Sequence, residues 1–280
     1  MTLYTIKDDI VNDKGILLLR KDLIINEKVL GRLKELTNSI SIDSENMEVH
    51  NEVKTKDYNS ITKTSTTEII QSFEERKHIT DKRILERPNK VLSNIIFETK
   101  TEPWSIYINA LFNYASWLYA HSIDVSMMSL LMAVELGYED SQLYNIGLGA
   151  LLHDIGMLLI PKYIIEKPEP LNETERLIFY NHCELGVSSL ELFNLPKECT
   201  DVILQHHERL DGSGYPKGLK ENEICLNSRI VMIAELIDTI TSDGPNRKNA
   251  YKMDEAIKFV KEEEKVSLEL ISLLEKMMYN

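Results

Sequence analysis

The chain has 280 residues, 43% hydrophobic and 28% charged, proportions of an ordinary globular protein that leave no room for wholesale disorder. Forty-five Asp and Glu against thirty-two Lys and Arg give a formal charge of −13, which argues against a binder of duplex nucleic acid or of a membrane surface working by counterion release. Apolar runs such as Ile16-Leu17-Leu18-Leu19 fall far short of the roughly 20 residues of a bilayer span, no secretory leader is visible, and Cys183, Cys199 and Cys225 are an odd, scattered set, so a soluble cytoplasmic protein is expected.

Residues 1–91 read as a small mixed α/β module with a polar linker. Short β-like runs at 3–6, 15–19 and 40–42 flank an amphipathic helix at 27–36, where Val29, Leu30, Leu33 and Leu36 recur at helical spacing. Residues 43–66 are rich in Ser, Thr, Asn and Lys and read as loop; a helix follows at about 67–77, then another polar stretch around Arg87-Pro88-Asn89. Residues 92–280 read as mainly α, a helical bundle. Helices are expected over 106–136; over 141–153, stopped by Gly156; over 173–193, capped by Asn172 and ending before Pro196; and over 197–210 and 227–242. Two shorter ones, at about 253–261 and 265–278, complete the chain.

Five of the seven histidines, at 121, 153, 182, 206 and 207, lie on four successive predicted helices. A lone imidazole on an apolar face is most often a core residue, but five in one segment, with a His206-His207 pair and a His153-Asp154 pair, point to a metal centre. Adjacent helical residues point about 100° apart, so His206 and His207 share one ion only if the helix ends there. Two ions with a bridging carboxylate relieve that geometry, and Asp154 is the candidate bridge. Such a pair, about 3.5–4 Å apart, lowers the pKa of a shared water and neutralises phosphoryl oxygens. Imidazole and carboxylate ligands suit Fe, Mn, Zn, Co or Ni alike. On the helix at 227–242, Glu235 and Asp238 sit three apart on one face, and either can reach the site.

After His206-His207 comes Glu208-Arg209-Leu210-Asp211-Gly212-Ser213-Gly214-Tyr215-Pro216-Lys217-Gly218-Leu219, whose Asp-Gly-Ser-Gly and Pro216 suit a rigid turn. This string resembles the signature of the HD-GYP phosphodiesterases, a subset of the HD superfamily of metal-dependent phosphohydrolases. The resemblance spans roughly residues 100–278. It takes in His121-Ser122, Leu152-His153-Asp154-Ile155-Gly156, Ile160-Pro161, Lys167-Pro168, Leu171-Asn172-Glu173-Thr174-Glu175, and His182 with Gly186. It implies that His121, His153, Asp154, His182, His206 and His207 bind two divalent metal ions, with Glu235 in place of the family's final aspartate. It also implies hydrolysis of cyclic di-GMP to pGpG or GMP, by attack of a bridging hydroxide on phosphorus with the 3′ oxygen leaving. His153 and Asp154 are then the catalytic pair, and Asp211, Gly214, Tyr215 and Pro216 border the substrate or contact signalling partner proteins.

This chain departs from that pattern. Met157 stands where the family usually has a phosphate-contacting Lys; Gly244 stands where an Arg is usual, leaving Arg247 and Lys248 for substrate; and Trp117 occupies a position that carries a third-metal carboxylate in some members. Two other readings therefore stand beside the phosphodiesterase: a degenerate domain that binds metal or cyclic dinucleotide as a sensor or protein-binding module with little turnover, and an HD phosphohydrolase acting on nucleoside phosphates.

Overall fold

The computed structural model describes residues 3–11, 17–19, 21, 23–36, 47–50, 63–77, 79, 81–98, 102, 104–242, 250–263 and 265–279. Its N-terminal part holds β1 (Leu3–Ile6), β2 (Ile10–Val11), β3 (Leu17–Leu19), β4 (Ile24–Asn26), α1 (Glu27–Leu36) and β5 (Met47–His50). Strands β4, β1 and β5 form an antiparallel sheet in that order, with Leu3 opposite Asn26 on one side and His50 on the other; β2 and β3 pair separately. Strands β2, β4 and β5 were not expected, and β5 falls inside the stretch read as loop. Two or three apolar residues in a polar context carry too little period-two signal, and pairing with β1, or with β3 for β2, decides them. The expected strand at 40–42 lies outside the described residues.

The helices follow in order: α2 (Lys63–Arg76), α3 (Glu86–Ser93), α4 (Ser105–Tyr114), α5 (Ser116–Glu135), α6 (Asp140–Leu152), α7 (Lys162–Ile165), α8 (Glu173–Tyr180), α9 (His182–Leu190), α10 (Lys197–Gln205), α11 (Leu226–Thr241), α12 (Met253–Glu262) and α13 (Leu268–Tyr279). The molecule is thus mostly helical with a small antiparallel sheet at its N-terminus. The expected helix at 106–136 is two helices, because Ala115 is extended at φ −156°, ψ 111°. The expected helix at 173–193 likewise divides at Asn181, between α8 and α9. Continuous apolar periodicity hides both joints.

Helix α5 is the axis of the core. Every residue from Ser122 to Ala133 is buried, and α6, α11 and α4 pack around it. Alone among the described helices it is long and apolar enough to cross a membrane, and most of it is buried inside the protein. Two of its buried hydroxyls are partnered: Ser122 donates to the Leu118 carbonyl on the same helix and Ser126 to that of Gly147 on α6. The N-terminal sheet docks on this bundle through Asn26, which caps α1 by accepting from the Val29 amide at 2.9 Å and donates its side-chain amide to the Ser188 carbonyl on α9.

One close approach brings two arms of the site together. A Cβ on Gly156 would lie 1.9 Å from the His182 carbonyl oxygen and 2.7 Å from the Gly186 nitrogen, so only glycine lets the turn after His153-Asp154 press against the start of α9.

Candidate metal centre

Four helical elements deliver the five imidazoles to one place. His121 projects from α5; His153 caps the C-terminus of α6, with Asp154 next; His182 opens α9; His206 is the C-cap of α10, with His207 just beyond. Because α10 ends at Gln205, the two adjacent histidines are freed from helical geometry, and their ring centroids lie 4.2 Å apart. Glu235 comes from the middle of α11.

The ligand atoms sort into two sets, each close enough to hold one cation: His121, His153 and Glu235 in one, His182, His206, His207 and Asp154 in the other. Asp154 stands between them. Its Oδ2 lies 3.3 Å from Nε2 of His153 and 3.8 Å from that of His121, while Oδ1 lies 3.4 Å from Nε2 of His182 and 3.7 Å from that of His206. One carboxylate thus offers one oxygen to each set, as a bridge must.

Hydrogen bonding fixes which nitrogen of each ring faces inward. Nδ1 of His153 contacts the Ala150 carbonyl at 2.7 Å, that of His182 the Phe179 carbonyl at 2.7 Å, and that of His206 the Ile203 carbonyl at 3.0 Å. A carbonyl only accepts, so Nδ1 carries a proton and Nε2 is the nitrogen left to face a cation. His121 does the same through Asp238, whose Oδ2 is 2.6 Å from its Nδ1. The Nε2 atoms of His182 and His206 then face each other lone pair to lone pair at 3.2 Å. Nε2 of His153 and Oδ1 of Asp154 are buried without a hydrogen-bond partner, and Oε2 of Glu235, equally buried, faces only Nε2 of His121 at 2.7 Å and Nε2 of His153 at 3.3 Å. Orphaned buried acceptors are rare and costly. Here they converge on two points, and divalent cations fit both.

The electrostatics say the same. Burial alone would lower the pKa of His153, but the carboxylates of Asp154 and Glu235 outweigh it and raise it to about 10. His121, likewise desolvated, is held well above the ordinary value by Glu235 and Asp238. On the other side burial dominates, bringing His182 down to about 4 and His207 well below its usual range. Asp154 and Glu235 titrate well below normal despite burial, because of the imidazoles around them. Without metal, two imidazolium protons therefore occupy the His121–His153 set, the charge that one divalent cation would bring.

A cavity of about 590 Å³ opens over the centre, lined by His121, Asp154, His207 and Glu235 together with Met157, Trp117, Phe179 and Arg76. Arg76 is the one Lys or Arg among the described lining residues, and it ion-pairs with Asp124. The apolar Met157 and Trp117 thus face this cavity. The remaining expected substrate contacts lie elsewhere. Asp211, Gly214, Tyr215 and Pro216 are not among the lining residues. Asp211 is exposed and accepts from the Ser213 amide. A Cβ on Gly214 would sit 2.4 Å from the backbone of Glu208 and Arg209, and Tyr215 stacks between Tyr180, at 3.7 Å, and His207, at 4.6 Å. Its ring supports His207 rather than reaching into the cavity. Arg247, Lys248 and Gly244 lie outside the described residues.

Sequence reasoning missed Glu208 and Lys77, and it left the role of Asp238 open. Glu208, fully buried, accepts from the Lys217 and Leu219 amides at 2.8 and 2.9 Å and so ties the Gly-Tyr-Pro loop to the end of α10. Asp238 does not join the ligand atoms but stands behind His121, and Lys77 stands behind Asp238. Neither long-range contact leaves a local sequence signal.

Known proteins resemble this arrangement. The chain is 33% identical over 166 residues to the cyclic di-GMP phosphodiesterase PA4108 of Pseudomonas aeruginosa, covering 59% of this chain and 37% of that one. It is 38% identical over 140 residues to a cyclic di-GMP phosphodiesterase of Thermotoga maritima, covering 49% and 38%. It therefore spans well under half the length of these relatives. The solved structure of Bd1817, a HDG"Y"P protein from Bdellovibrio bacteriovorus, matches over 99% of this chain and 94% of its own with a TM-score of 0.51 at 19% identity, a likeness of fold. With the HD domain profile matching residues 105–268, more than half of its length, the chain belongs to the HD domain family.

Proposed function

We propose that the chain is a metal-dependent phosphodiesterase of the HD-GYP type that hydrolyses a cyclic dinucleotide, cyclic di-GMP first among them, to the linear dinucleotide or the mononucleotide. The observation that carries this reading is the placement of Asp154, one oxygen toward each set of inward-facing imidazoles, beneath a cavity large enough for a ligand. Two divalent cations, when bound, supply an activated water at neutral pH and neutralise phosphoryl oxygens.

The chain's own residues do the rest. Asp154 holds the two sets in register, and the carbonyl and carboxylate partners of the Nδ1 atoms keep each ring from turning. Leu118, Met157 and Ile165 exclude bulk water from the cavity wall, which strengthens the electrostatics inside. Trp117 and Phe179 offer aromatic faces for a nucleobase. Charge supports an anionic substrate. Asp154, Glu235 and Asp238 balance Lys77 and one divalent cation, so a second cation leaves a net positive centre in a protein of charge −13.

In the test, purified protein with Mn²⁺ or Fe²⁺ releases pGpG or GMP from cyclic di-GMP, and Asp154→Ala loses both ions and activity together. A fully active Asp154→Ala would refute the shared-bridge mechanism. Met157 in the cavity wall favours a second reading, a domain that binds metal and cyclic dinucleotide with little turnover; ligand binding without product identifies it.

A further inference from the structure

Lys77 follows α2 directly and lies upstream of residues 105–268, which the HD profile matches. Its side chain is fully buried, a position lysine rarely takes without partners. All three ammonium protons are used, on Asp238 Oδ1, on Thr241 Oγ1 at 2.9 Å and on Ser242 Oγ at 2.9 Å; Ser242 in turn donates to Asp238 Oδ1. The preceding residue, Arg76, pairs with Asp124, three residues after His121 on α5. Two consecutive cations thus fasten the end of α2 across α5 and α11.

The four Nδ1-anchored imidazoles are not anchored alike. His153, His182 and His206 each lean on a carbonyl three residues earlier, a contact that travels with the local backbone. His121 leans on Asp238, 117 residues away, so its orientation depends on tertiary packing. Asp238 is itself buried near two further carboxylates, those of Glu235 and Asp154, and a carboxylate so placed needs a neutralising partner to stay ionised and still. Lys77 takes one of its oxygens and leaves the other for His121.

We propose that Lys77 is a positioning residue of the metal centre: through Asp238 it holds His121 with Nε2 toward Glu235 and Asp154, so the end of α2 sets cation affinity in one half of the centre. This rests on the metal-centre reading above. Movement of α2 is then felt by the His121–His153–Glu235 set and not by the other, where His182 and His206 are held by local carbonyls and His207 by the Tyr215 ring.

Calorimetric Mn²⁺ titration of the full chain, with metal content after dialysis, tests it. The wild type is expected to hold two ions. Lys77→Met is expected to weaken one site about 10- to 100-fold, the usual effect of losing an outer partner, and to leave the other unchanged. Since Lys77→Met leaves Asp238 buried and unpaired, the double variant Lys77→Met/Asp238→Asn removes both charges and is expected to show the same one-sided loss in a folded protein. Wild-type affinity at both sites in both variants overturns the proposal, as does equal weakening of both, which marks a merely structural lysine. A wild type that binds no cation overturns the metal-centre reading itself, and this inference with it.

Discussion

The two halves of the centre should respond differently to pH when they take up metal. His153 is held at about 10, with His121 also well above its ordinary value, so at neutral pH both rings carry a proton that a cation must displace. Displacing a proton bound with a pKa of about 10 opposes binding at pH 7 by about 4 kcal/mol, at about 1.4 kcal/mol per pH unit. The His153 proton alone makes affinity at this half rise about tenfold per pH unit across pH 7–9, and the raised His121 steepens that rise. The other half has His182 at about 4 and His207 lower than normal, so those two rings are already neutral and add no pH dependence over the same range. Mn²⁺ titrations at three pH values, repeated in buffers of different ionisation enthalpy, count the protons released. Two sites with the same pH slope, or no release from either, would refute the charge assignment.

The same pKa values govern the cation-free protein. His153 contributes stability that is full below about pH 6.5 and lost as pH rises toward about 10; His182 contributes stability that is full above about pH 6.5 and lost as pH falls toward about 4. Melting in chelator should therefore peak near pH 6.5 as far as these two rings decide it, and the peak should shift to alkaline pH on loading. Gly156→Ala places a methyl 1.9 Å from the His182 carbonyl, where about 3.4 Å is ordinary contact, so α9 must retreat by about 1.5 Å. We expect a loss of about 3 kcal/mol in denaturant unfolding, with loss of metal at the His182 set; an unchanged midpoint counts against the close approach. Glu208→Ala strips the acceptor from two part-buried loop amides and should cost about 1.5–3 kcal/mol, read also as faster hydrogen exchange at Lys217 and Leu219; unchanged exchange there rejects the tether. Met157→Lys adds a cation to the cavity wall and should tighten cyclic di-GMP binding about tenfold with a steeper salt dependence; no gain removes the missing charge as a determinant of affinity.

Residue chemistry and order made much of this legible before any coordinates. Imidazoles and a neighbouring carboxylate on successive amphipathic helices announce a metal centre because few other groupings use those side chains together, and the helices themselves follow from apolar spacing. The His206-His207 problem was also visible, but its resolution was not: whether α10 stops at Gln205 depends on where the Gly-Tyr-Pro loop folds back onto Glu208. The breaks at Ala115 and Asn181 and the strand at Met47–His50 were hidden for a related reason, since local pattern continues across the first two and is too short in the third.

Sequence alone determined the family, the helical class and the kind of atoms at the centre, because these follow from side-chain chemistry and periodicity. Tertiary structure alone decided that Asp154 turns an oxygen to each side, that Tyr215 braces His207 instead of lining the cavity, and that a lysine from α2 stands behind His121. Those are contacts between residues far apart in the chain, and only packing of the whole core sets them.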